Sequence, residues 1–226
     1  MIIYVFGTLI GYQVLLGTLF PSICESLNID GDPYIIKIIF MCVACGGVMI
    51  PLGLFRDLSA LRFISLLSAF TLTYITILVV VEFGFFAQDN DWSEVIYAKI
   101  DTNIFSAFSL SLFSFTCHTN VSQIQGEMIN SNVRRMSKAS RRGMIFLVFP
   151  YFLLAFFGYM STLGDTPSIF IMRNASGIIG NDWLMVIGRI LMSITLIFAV
   201  PINLPPCRAC IQKTIFKIEG RAPFKM

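Results

Sequence analysis

Six long apolar runs, separated by short polar connections, decide what this chain of 226 residues can fold into. They lie at about 2–20, 34–54, 61–86, 103–125, 143–163 and 183–204. A helix that crosses the hydrocarbon of a bilayer needs about 20 such residues, and a buried helix of a soluble core rarely does. The third run, Leu61 to Phe86, is long enough to tilt. The first is expected to stop at Pro21 and the sixth near Pro205 and Pro206. Isolated segments in lipid must satisfy their own backbone, which makes these runs helices. A β-barrel would alternate apolar and polar residues, and these runs are continuous. Composition agrees. The chain is 56% hydrophobic and 13% charged, against about 25% charged in soluble domains. The expectation is an all-α polytopic membrane protein of about six transmembrane helices. They form a single transmembrane domain over 1–226, with 205–226 as a basic tail.

Lysine and arginine in short loops set orientation. The first, third and fifth connections are acidic or nearly free of bases. The second carries Arg56 and Arg62, and the fourth Arg134, Arg135, Lys138, Arg141 and Arg142. The tail carries Arg208, Lys213, Lys217, Arg221 and Lys225. This alternation places both termini in the cytoplasm. It also explains the basic residues, so no nucleic-acid partner is expected. Met1 leads straight into apolar residues with no basic segment, so a cleaved signal peptide is not expected.

The fourth run ends in "FSFTCHTNVSQIQGEM", Phe113 to Met128, which holds the chain's one histidine. Polar groups are expensive in hydrocarbon and should face protein or water. Two explanations stand at this point. The run is either a central packing helix, its polar groups joining neighbours at about 0.6 kcal/mol each, or a discontinuous helix lining a cavity near the midplane.

Phe113, Phe115, Cys117, His118, Val121, Ile124 and Glu127 fit the register of the sixth helix of the amino acid/auxin permease superfamily, which this stretch resembles. "GYQVLLGTLFP" resembles that family's third helix, with Tyr12 and Pro21 in place. "PLGLFRDLSALRFIS" is similar to its fourth-to-fifth connection. The stretch ending in "FGYMSTLG" is similar to its seventh helix, and "GRILMSITLIFAVPINLPPCR" to its eighth. The resemblance implies a secondary amino acid transporter working by alternating access on a LeuT-like inverted-repeat fold. It implies small neutral amino acids as substrates, in the plasma membrane or a vacuolar or lysosomal membrane. The sixth-helix half of the substrate site falls on Phe113, Ser114, Phe115, Thr116, Cys117 and His118, with Tyr12 approaching from the first run.

The departures from the family bear on coupling. Thr119 and Gln123 stand where the family has prolines. Ile197 and Ala199 replace threonines that help hold sodium in sodium-coupled members. Sodium wants oxygen ligands, so Ser193 and Thr195 become the remaining candidates, and proton or sodium coupling stays open. His118 suits a proton relay by its ordinary pKa range, or it caps a loop. The six runs correspond to the family's third to eighth helices. The chain is therefore expected to be incomplete, lacking the first substrate-binding helix, or to pair with a second chain that supplies it. The alternative is a non-transporting membrane protein, such as an amino acid sensor or a transporter remnant.

Other features are lesser. Arg189, inside the sixth run, is expected in a structural ion pair. Cys42 and Cys45 read as buried small hydrophobes, and Cys207 and Cys210 as unmodified thiols. "RRMS" at Arg134 to Ser137 resembles a kinase site. Asn174-Ala-Ser176 is an N-glycosylation acceptor in a connection expected to face the lumen or exterior. No metal site, cofactor or enzymatic constellation is expected.

Overall fold

A computed structural model describes residues 2–27, 31–54, 61–87, 95–96, 101–116, 121, 124–125, 132–163, 167, 169–173 and 183–214. Among these residues the regular structure is entirely helical. The elements are α1 (Ile2–Ser26), α2 (Pro33–Val43), a π-helical turn (Ala44–Met49), α3 (Ile50–Leu54), α4 (Leu61–Phe86), α5 (Asn103–Ser114), α6 (Val133–Thr162), a 3-10 turn (Phe170–Met172) and α7 (Trp183–Thr214). Four helices are long and apolar enough to cross a bilayer alone, over Ile3–Ser26, Ile64–Phe85, Val133–Thr162 and Trp183–Leu204. Pro33–Met49 and Asn103–Ser114 are shorter apolar helices. The chain is an all-α polytopic membrane protein.

Helix ends differ from the expectation that proline stops a helix. α1 passes through Pro21 to Ser26, and α7 continues past Leu204 to Thr214. Proline removes one ladder bond, and in lipid breaking the rest of the ladder costs far more. α6 begins at Val133, ten residues before the apolar run, because Asn132 caps it: its side chain accepts from Arg134 N at 3.3 Å. Its first turn carries arginines and no acid, opposite to what the helix dipole favours. The second run is not one straight α-helix. Ile50 N–H reaches back five residues to Cys45 O, and Pro51 next to it has no N–H to give.

The chain divides into two compact units, 1–71 with 183–226, and 72–182. In the first, α7 buries Val186, Arg189, Ser193, Leu196 and Val200. Their alternating spacings of three and four keep one stripe inward along the helix. α1 answers with Val5, Leu16, Leu19 and Ile23, all buried. Gly17 lets α2 close on α1: a Cβ there would stand 2.7 Å from Met41 Sδ. One turn on, the rings of Phe20 and Phe40 stack. Met49 of the π turn is buried, and Gln13 Nε2 donates to its sulfur at 2.8 Å.

In the second unit α4 buries Thr76, Leu78, Val79 and Glu82. α6 supplies the opposite wall. Phe83 meets Phe157 edge-on at 5.2 Å.

Candidate functional site

α5 stops after 12 residues, at Ser114. At 1.5 Å per residue that is roughly 18 Å of helix, a little over half of a hydrocarbon core about 30 Å thick. Of the two explanations for this run, a discontinuous helix is the one this end fits: the α-helix stops inside the apolar run. Ser109, Ser111, Ser114 and Thr116 each turn a hydroxyl onto a carbonyl three or four residues back, at 2.8–2.9 Å. Thr8, Thr76 and Ser193 make the same bond inside helices that continue, so these bonds accompany the end and do not by themselves cause it. Phe115 leaves the helix at φ −93°, ψ 2°, and Thr116 N closes a tighter turn on Phe113 O at 3.1 Å.

This turn gathers four of the sequence candidates: Phe113, Ser114, Phe115 and Thr116. The Phe115 ring meets Tyr151 of α6 edge-on at 5.7 Å, and this fixes the turn against α6. Thr116 is half-buried, while Asn103 to Phe115 are exposed. A helix C-terminus carries partial negative charge on its last carbonyls. In the middle of a bilayer, such an end suits an ammonium group or another cation. Cys117 and His118 lie outside the described residues, as do Thr119, Gln123 and Asn174.

Tyr12 is half-buried in the first unit, on α1. Ser193 and Thr195, the candidate ion ligands, are also in the first unit. Ser193 Oγ donates to Arg189 O at 2.8 Å, and Thr195 Oγ1 to Leu191 O at 2.9 Å. Thr195 Oγ1 also lies 3.2 Å from Thr71 Oγ1, a bond that ties α7 to α4. Arg189 is buried. Its Nη1 donates to Ser26 Oγ at 3.0 Å, and Ser26 Oγ donates in turn to Ser22 O. The bond seen is thus to a hydroxyl at the end of α1. Cys42 and Cys45 are exposed, not buried as expected, because the face of α2 and the π turn that carries them has no neighbour among the described residues.

Sequence reasoning missed Glu82. It lies inside α4, forms an ion pair with Arg173, and is almost fully buried. The signal was present as a lone acid in "VVVEFGFF", and an ionisable residue within a span is expected to have a named partner. Arg173 Nη1 also donates to Ser161 Oγ at 3.0 Å, and its guanidinium sits 4.7 Å from the Phe170 ring centroid. The Phe157-Gly158-Tyr159 motif organises the surroundings. Phe157 packs on Phe83, Gly158 leaves 3.4 Å between a would-be Cβ and the Phe170 ring, and Tyr159 bonds Ile96. The 3-10 turn and Arg173 are thereby pinned onto α4 and α6.

The transmembrane amino acid transporter family matches residues 1–225, so the chain belongs to that family. It is 25% identical over 213 residues to vacuolar amino acid transporter 5 of Schizosaccharomyces pombe, covering 93% of this chain and 49% of that one. It is 23% identical to vacuolar amino acid transporter 5 of Saccharomyces cerevisiae, covering 95% and 49%. With vacuolar amino acid transporter 7 of the same yeast it shares 26% identity, over 97% of this chain and 43% of that one. The chain spans about half the length of the curated relatives it matches. No solved structure matches it.

Proposed function

We propose that this chain forms part of a secondary amino acid carrier and that the end of α5 is half of its substrate site. The observation that carries the reading is the helix end at Ser114, inside an apolar run and in register with the family's sixth helix. Transporters bind substrate at the midplane through such broken helices. Phe113 to Thr116 offer main-chain carbonyls and the negative end of α5 to the substrate's ammonium group. By the family register Cys117 and His118 belong to the same half of the site. The family register adds Tyr12, on α1, as a further candidate. The substrates are small neutral amino acids, which need main-chain recognition of ammonium and carboxylate and no charged side-chain partner. The names of the yeast relatives favour a vacuolar or lysosomal membrane, with both termini cytoplasmic and Asn174 as a lumenal glycosylation acceptor.

Coupling by protons fits the residues better than coupling by sodium. Ile197 and Ala199 offer no side-chain oxygen where sodium-coupled members of the family place threonines, and a hard cation needs a shell of oxygens. The test is uptake of radiolabelled L-alanine into proteoliposomes that hold this chain together with a segment supplying the other half of the site, under a proton or a sodium gradient, with D-alanine as control. Saturable L-selective uptake driven by the proton gradient supports the proposal. Binding without uptake points to a sensor instead, and dependence on sodium alone overturns the coupling.

A further inference from the structure

The first turns of α6 hold five bases: Arg134, Arg135, Lys138, Arg141 and Arg142. All five are exposed, and α6 contains no acidic residue to neutralise them. At 3.6 residues per turn they fall within an arc of about 120°. The rule that keeps positive charge on the cytoplasmic side asks only for their number and depends on no common face. Below them on that face runs a groove of about 700 Å³. Ser137 and Arg141 line its polar end, and Ile145, Val148, Phe149 and Phe152 its apolar length. From Arg141 to Phe152 the groove is roughly 17 Å long at 1.5 Å per residue, close to half of a hydrocarbon core about 30 Å thick. The opposite face of α6 carries Met136 and Gly158, which are buried.

We infer that this face of α6 is a binding site for an anionic phospholipid, its headgroup on the basic arc and a fatty chain in the groove beneath. The occupant follows from charge and length together. A polar anion alone would leave four apolar side chains uncovered, and a neutral lipid would leave the arc without a counter-charge. A phospholipid of one leaflet satisfies both, at the depth where each group belongs. Each base near the surface of an anionic membrane contributes about 1 kcal/mol, which is about a fivefold preference. The inference rests on the chain crossing a membrane and is independent of whether it carries amino acids.

The test uses the full chain in phosphatidylcholine vesicles that contain a trace of spin-labelled phosphatidylserine or spin-labelled phosphatidylcholine. The fraction of label immobilised by the protein is read by electron spin resonance. The unaltered protein is expected to immobilise phosphatidylserine about fivefold over phosphatidylcholine. In the variant Arg134→Gln, Ala139→Arg, Arg141→Gln, Gly143→Arg the charge of the segment, and so its orientation signal, is kept while two bases leave the arc. Both receiving positions are exposed, and nothing stands within 4 Å of a Cβ at Gly143. Its preference is expected to fall clearly below that of the unaltered protein, with three bases remaining on the arc. If that variant loses helicity by circular dichroism, the unaltered protein in 1 M salt decides, since a Debye length of about 3 Å must shrink the preference. Equal immobilisation of the two lipids, a preference retained by the folded variant, or one indifferent to salt would each overturn the assignment.

Discussion

Arg173 forms an ion pair with Glu82 in which both side chains are almost fully buried, at 3% and 4% exposure. Ninety residues of chain separate them. The pair joins the far end of α4 to the turn that follows α6, and the Ser161 hydroxyl and Phe170 ring occupy further faces of the guanidinium. A lone charge there would cost several kcal/mol, so each residue requires the other.

Glu82→Gln or Arg173→Gln alone is expected to destabilise the fold by about 3–5 kcal/mol, because the remaining charge is left buried. The double variant Glu82→Leu with Arg173→Leu is expected to recover much of that loss. Unfolding by sodium dodecyl sulfate in mixed micelles, followed by circular dichroism, measures both. Single variants as stable as the parent would mean the pair has no structural role.

Tyr159 uses one hydroxyl twice on Ile96: it receives the amide at 3.1 Å and donates to the carbonyl at 3.2 Å. Tyr159→Phe removes both bonds, at about 0.5–1.5 kcal/mol each. Hydrogen exchange of the peptide containing Ile96 should quicken by tenfold or more, with α7 unaffected.

Thr195→Val is expected to cost about 0.6 kcal/mol, the worth of an interhelical hydroxyl bond in a membrane. It should leave the ion dependence of uptake unchanged. A selective loss of sodium stimulation in this variant would restore Thr195 as an ion ligand.

Gly17→Leu is expected to separate α1 from α2 and cost about 1–3 kcal/mol by overpacking. Gly17→Ala should cost less, because the nearest atoms, Met41 Sδ and Lys37 Cε, end flexible side chains. Thermal denaturation of the two variants in one detergent gives the comparison.

The helical class was legible because lipid permits few answers to a long apolar run. The end of α5 was legible only through the register of Phe113 to His118, since no glycine or proline marks it and its serines and threonines look like ordinary packing residues. Glu82 and Arg173 were not legible as a pair. Counting charges for topology places Arg173 in a connection and passes over Glu82, and nothing in the intervening sequence announces their meeting. Pro21 misled for a physical reason: a stop in water is a single missing bond in lipid. The π turn had its signal in Gly46, Gly47 and Pro51, three residues that weaken an α-ladder.

If Phe113 to Thr116 line an amino acid site at the end of α5, a bound substrate shields position 116. Thr116→Cys, reacted in proteoliposomes with a small cationic thiol reagent, tests it most directly, with the unaltered protein correcting for native cysteines. The cysteine of Thr116→Cys is expected to react, and L-alanine to slow the reaction severalfold while D-alanine does not. A site that never reacts, or reacts at the same rate with and without L-alanine, would contradict it.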